Sequence, residues 1–194
     1  MDSIDRRKFI KRAGMSAAGV AMAGPWVTSG LSQKSPNETI RVAVMGIHGR
    51  GGAHAENFAR MKNVEVVMLC DIDENLLPKA VEDVAKIQGK KPRTEVDIRK
   101  VCEDKNIDVL SVASTNHWHA LATIWGIQGG KDVYVEKPVS YNIWEGRKMI
   151  EAARKYKKIV QVGSQNRSRP VVQGAMDFMH KGGIGDVYMV RVPF

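Results

Sequence analysis

The stretch that most narrows the fold is Thr39 to His54, TIRVAVMGIHGRGGAH, where an apolar run of strand composition breaks into glycines and reopens as a helix. A strand ending at Met45, a tight turn and a helix opening near Gly51 would aim the first free amide groups of that helix at a phosphate. Set against the spacing of a dinucleotide-binding turn, the residues run Gly46, Ile47, His48, Gly49, Arg50, Gly51. His48 then stands where the middle glycine would let the backbone approach a pyrophosphate. Histidine tolerates positive φ better than most residues, and Gly49 beside it adds freedom. Read alone, the loop also fits a structural turn that needs three glycines.

Downstream the same rhythm repeats. The pattern predicts a helix over 53–61, a buried strand over 64–70 and a helix over 74–88. A short strand follows within 90–96, then a helix over 98–104, a buried strand over 107–113 and a helix from 120 to about 128. A strand over 132–135 runs into Glu136, Lys137 and Pro138; Asn142 and Glu145 make a capping box for a helix over 143–157, and a strand covers 159–163. Continuous apolar strands alternating with helices indicate an α/β fold with a doubly wound parallel sheet of Rossmann type. In such a sheet ligands collect outside the carboxyl ends of the strands. The glycine turn, Asp71, the Thr115 to His119 segment and Glu136–Lys137–Pro138 all fall there.

The chain has 194 residues. That is room for one domain of about 120 to 170 residues and the start of another. The sequence divides into a signal and linker over 1–35, a dinucleotide-binding domain over 36–165 and the beginning of a substrate domain over 166–194. The net charge of +9 raises nucleic acid as a partner. The excess is partly in the N-terminal segment and otherwise scattered, and its two short clusters, Lys90 to Arg93 and Arg154 to Lys158, are not interleaved with aromatics. They read as solvated faces, and no nucleic-acid partner is expected. Two cysteines, Cys70 and Cys102, cannot build a disulfide framework, and no Cys/His cluster has metal-ligand spacing.

Over 1–35 a charged stretch with Arg6, Arg7, Lys8 and Lys11 precedes a mildly apolar run from Ala13 to Val27 and an Ala21–Met22–Ala23 cleavage pattern. This resembles a twin-arginine export signal and places the mature protein in the periplasm or outside the cell. The run is too short and glycine-rich for a stable membrane span.

Asp71 lies twenty residues beyond Gly51, the position of the acid that bonds the adenosine ribose hydroxyls. An acid there favours NAD over NADP; Asp73 competes for the role, and one of the two would serve as a helix N-cap. Gly46, His48, Gly49, Arg50 and Gly51 form the cofactor turn, with Thr115 and Glu136 as polar groups at the later strand ends. Lys137 could hold a substrate oxygen and supply positive charge where an alkoxide develops. Taken singly, Glu136 and Lys137 could also be an ordinary exposed pair ending a strand.

The segments IDVLSVASTNHWHA and GGKDVYVEKPVS, together with the glycine loop, resemble the Gfo/Idh/MocA oxidoreductases, the group that includes glucose-fructose oxidoreductase and inositol dehydrogenase. The resemblance covers about 39–169. It implies that Lys137 lies beside the nicotinamide and the substrate hydroxyl, and that Asn116 and His119 line the nicotinamide side. His54 matches a histidine common in the family but is expected to pack on the first helix. Trp118 is compatible with stacking on a sugar or cofactor ring and equally with packing under the next helix.

The family pattern continues into an antiparallel sheet domain, which supplies substrate-binding residues and the general acid/base and through which members associate. Here the sequence offers a helix over 171–180 and a strand start over 188–194, so the expectation is a fragment or truncated product of a longer, homo-oligomeric protein. The leading functional expectation is oxidation of a sugar or polyol hydroxyl by hydride transfer to NAD. The alternatives are an NAD-dependent glycosidase and a nucleotide-binding module without catalysis.

Overall fold

The computed structural model describes residues 39–192. The export-signal expectation and the last two residues of the expected 188–194 strand lie outside the described residues.

Six strands make one parallel sheet: β1 (Ile40–Met45), β2 (Val64–Cys70), β3 (Arg93–Glu95), β4 (Val109–Val112), β5 (Asp132–Glu136) and β6 (Val160–Gly163). Their order is β3-β2-β1-β4-β5-β6. The connections are α1 (Arg50–Arg60), α2 (Leu77–Gln88), α3 (Ile98–Glu103), α4 (Asn116–Gln128) and α5 (Ile143–Tyr156). A 3-10 turn, Gln165–Ser168, leads into α6 (Pro170–His180). β1 sits between β2 and β4, whose crossovers leave in opposite directions, and the crevice at that reversal is where a doubly wound sheet takes its ligand.

The apolar runs are buried on both faces. Val42, Val44, Val66 and Leu69 pack under α1 and α2 with Ala55, Ala59 and Val84. Ala43, Met68, Leu110, Val112 and Val133 form the other face, against Val101 of α3, Ala120 and Ile127 of α4 and Met149 of α5. Both faces being covered explains why these strands lack polar alternation. Between Val42 and Ala43 the β1–β2 register slips by one residue, leaving Val67 as a bulge, and Cys70 comes level with Met45.

Asn142 Oδ1 accepts from the Glu145 amide at 2.9 Å, while the Glu145 carboxylate takes the Tyr141 amide at 3.0 Å, one residue earlier than a standard capping box. Four expectations need correction. α2 opens at Leu77 rather than 74, because Asp73 Oδ1 accepts both the amide and the side-chain nitrogen of Asn75 and holds that segment in a turn. Neither Asp71 nor Asp73 caps the helix. α4 opens at Asn116 rather than 120, so Asn116 to His119 form its first turn instead of a loop. Residues 188–192 form no strand, since no strand among the described residues offers them a ladder. α6 buries none of its residues, and Val171 and Phe178 are exposed along it.

Candidate functional site

The turn after β1 is closed from two sides. The Gly46 amide donates to the Cys70 carbonyl at 2.9 Å, and the Ile47 amide donates to Asp71 Oδ2 at 2.6 Å. The other Asp71 oxygen accepts from the Asp73 amide at 3.0 Å. Gly46 has φ +82°, and a Cβ there would lie 2.6 Å from the Ser114 amide nitrogen. A Cβ on Gly51 would run into the Gly46 carbonyl oxygen, so the helix meets its own turn where no side chain fits. The strained position beside His48 is taken by Gly49, at φ +60°, which is also the residue preceding α1. His48 therefore needs no left-handed backbone.

Beyond the carboxyl ends of β1, β2 and β4 lies a cavity of about 850 Å³. Gly46, His48, Asp71, Ser114, Thr115 and Trp118 line it. Trp118 is half-exposed and packs on Trp125, the ring centroids 6.2 Å apart. At the far wall Arg99 grips Asp97 and holds its carboxyl down to about 2. Cys70 also faces this space, but burial pushes its thiol up to about 12, as it pushes Cys102 up to about 11, so both are inert packing groups.

On the far side of β4 a buried network occupies the end of β5. Glu136 is 4% exposed. Its Oε1 accepts from Arg50 Nε at 2.9 Å and lies 3.1 Å from His54 Nε2, while Oε2 accepts from the Lys137 amide at 3.0 Å. His54 Nδ1 is 3.0 Å from Ser111 Oγ, and its ring meets Tyr134 edge-on. With its amide turned to satisfy both ends, Gln165 accepts from Arg50 Nη2 at 3.1 Å and donates to the Gly163 carbonyl at 3.2 Å. Burial pushes the Glu136 carboxyl up, but the hydrogen bonds from Arg50, the Lys137 amide and His54 outweigh it and leave it below the ordinary carboxylate range. Burial lowers His54 below its usual value despite the neighbouring carboxylate.

His119 is 1% exposed, with Nδ1 at 2.6 Å from the Pro138 carbonyl and Nε2 at 2.9 Å from the Ser114 carbonyl. It thereby ties the segment after β4 to the segment after β5, whose Lys137–Pro138 peptide is cis. The side chain of Lys137 itself is exposed.

Residues 40–164 match the family model described as "Oxidoreductase family, NAD-binding Rossmann fold", GFO_IDH_MocA. The chain belongs to the Gfo/Idh/MocA family. A curated relative, an alpha-N-acetylgalactosaminidase of Shewanella oneidensis, is 27% identical over 177 residues, covering 81% of this chain and 39% of its own. An NAD binding oxidoreductase from Klebsiella pneumoniae superposes with a TM-score of 0.63 at 25% identity, over 76% of this chain and 40% of that one. The fold is shared as well with a myo-inositol dehydrogenase from Lactobacillus casei solved with NAD(H) and myo-inositol, at a TM-score of 0.66 and 23% identity over 76% of this chain and 43% of that one. The chain thus spans about two fifths of the length of the relatives it matches.

For a Gfo/Idh/MocA chain the cofactor is NAD, and the site fits one. The turn has no side chain at its closest approaches, Asp71 borders the cavity beside it, and Ser114 Oγ is buried with no hydrogen-bond partner among the described residues. Of the residues singled out by sequence, Gly46, His48, Asp71 and Thr115 line the cavity together. Gly49 and Gly51 shape the turn behind it. Glu136 and His119 spend their polar groups inside the protein, Arg50 turns its half-exposed guanidinium to Glu136, and Asn116 and Lys137 are exposed at the rim of the neighbouring strand ends. Sequence reasoning passed over Ser114, although it is the second residue past β4, and over Trp125, Asp97 and Arg99. The last two follow a strand of only three residues, too short to announce a strand end.

Proposed function

We propose that this chain carries the cofactor-binding part of an NAD-dependent oxidoreductase that acts on a hydroxyl of a sugar or polyol by hydride transfer. The observation that carries the reading is Lys137, whose amide is fixed on the buried Glu136 carboxylate while its ammonium group is left exposed at a strand end on the carboxyl side of the sheet. Bound NAD supplies the hydride acceptor. Asp71 would receive the adenosine ribose, the amides of the glycine turn and α1 the pyrophosphate, and Ser114 a hydroxyl or amide of the cofactor. Lys137 would hold the substrate oxygen and stabilise the negative charge that grows on it as the C–H bond is broken.

The test is NADH formation by the purified protein with a panel of hexoses and cyclic polyols, followed by Lys137→Ala. The variant should keep its NAD affinity within about twofold while turnover disappears. Failure of the unaltered protein to bind or reduce nicotinamide with any of them would count against the reading.

The names of the curated relatives favour a second reading, an NAD-dependent glycosidase in which oxidation of the sugar is transient. Release of the aglycone from a nitrophenyl N-acetylgalactosaminide without net NADH would identify it. We further propose export by the twin-arginine route, on the Arg6–Arg7 pair and the weakly apolar run behind it. Cell fractionation of an Arg6→Lys/Arg7→Lys double variant checks this. Self-association of the full-length protein is proposed too, with sedimentation as its measurement.

A further inference from the structure

The end of β3 and the opening of α3 form the wall of the cavity beyond Asp71. The Asp71 amide donates to the Glu95 carbonyl at 3.2 Å, which stitches the ends of β2 and β3 side by side. Val96, Asp97 and Arg99 then line the same cavity as Asp71 and Ile72. An adenosine ribose held by Asp71 would therefore lie near Asp97 and Arg99, which share its cavity.

An arginine in that place would ordinarily serve a 2′-phosphate. Here it is engaged. Arg99 Nε lies 2.9 Å from Asp97 Oδ1 and 3.1 Å from Oδ2, and Nη2 lies 2.7 Å from Oδ2. Asp97 Oδ1 also accepts the Arg99 amide at 2.9 Å as the N-cap of α3. The fork is turned back on the start of its own helix. Yet the Arg99 side chain is 68% exposed, so its carboxylate pairing rather than packing holds it there.

We propose that Asp97 and Arg99 together set the choice of dinucleotide, Asp97 occupying the arginine fork so that the cavity takes a free 2′-hydroxyl, and Arg99 becoming a 2′-phosphate ligand when that pairing is removed. The inference rests on the reading of this cavity as the NAD site. It goes beyond the acid at Asp71, because it assigns selectivity to a second pair on a different strand end.

The test is the Kd of NAD and of NADP for the full chain, by calorimetry and by quenching of the tryptophans on the cavity wall, in wild type, Asp97→Asn, Asp97→Ser and Asp97→Asn/Arg99→Ala. Asn and Ser both keep the N-cap of α3 while giving up the ion pair. Each single variant should tighten NADP about five- to tenfold and leave NAD within about twofold, and the gain should shrink at high salt. Adding Arg99→Ala should erase it. An NADP affinity unchanged in both Asp97 variants, or a gain that survives Arg99→Ala, would overturn the assignment even if NAD binds normally. Absence of NAD binding by the wild type would overturn the cavity reading and the proposal together.

Discussion

Arg50 and Glu136 stand 86 positions apart in sequence and 2.9 Å apart in the fold, one on the first turn of α1 and the other on the last residue of β5. The carboxylate is nearly inaccessible while the guanidinium is half in solvent. Removing Arg50 therefore leaves a buried charge with only His54 and one amide to hold it. Arg50→Ala should cost about 1–3 kcal/mol, less than a fully buried pair because Arg50 is itself exposed. Urea denaturation measures the loss, which should appear in the midpoint with an unchanged slope.

The two glycines of the turn should respond in opposite ways. Gly51→Ala drives a Cβ into the Gly46 carbonyl, so the turn must open, and NAD affinity should fall at least about tenfold. Gly49→Ala meets nothing within 4 Å, so its cost is one of backbone strain, φ +60° with ψ −103° lying outside the regions an alanine ordinarily takes; stability should fall by about 1–3 kcal/mol, with NAD affinity within about threefold. Calorimetric titration with NAD separates them.

His119→Phe would leave two partly buried carbonyls, those of Ser114 and Pro138, without their ring partner. A loss of about 2–4 kcal/mol is expected, read by thermal and urea unfolding. His119→Gln, which can still donate to one of the two carbonyls, should recover part of it.

Acid should unfold the protein through the Glu136 network. Burial keeps His54 neutral in the fold below its ordinary value of 6.5, so the unfolded chain binds more protons from that pH downward and stability falls on acidification. Glu136 acts in the same direction. Its contribution is complete above its ordinary value of 4.5 and is lost as pH falls through its lower folded value. The urea midpoint should decline from near neutrality into the acid range, and His54→Gln should flatten the upper part of that decline. Arg50, Ser111, Tyr134, Phe58 and the Lys137 amide also face this pair.

Much of this was legible along the chain. The span of β2 is the same in sequence and in structure, because VEVVMLC is a run that only a two-sided burial explains. The turn and its acid, Gly46 and Asp71, could be paired from spacing alone, and the structure joins them through the Ile47 amide. Glu136 could not be read this way. Its partners Arg50 and His54 come from α1, and nothing near Glu136 in the sequence announces a buried carboxylate. The first turn of α4 was missed for another reason. Thr115 precedes it with no side-chain capping bond, so polar residues that look like a loop are already helical. The expected strand over 188–194 shows the converse in its described part, 188–192, where β-forming residues have no strand to pair with among the described residues.

The bulge at Val67 gives the site a dependence that no side-chain inventory contains. Because β2 gains one residue on β1 there, Cys70 rather than Leu69 ends beside Met45, and Asp71 follows next to the turn. Pairing β2 without that bulge, with Val67 opposite Ala43, would keep every functional group in the chain yet slide the acid one place out of phase with the glycines, breaking the Ile47 and Gly46 hydrogen bonds together. The phase of two neighbouring strands is in that sense a ligand-binding determinant, inherited through the ladder rather than through any particular side chain.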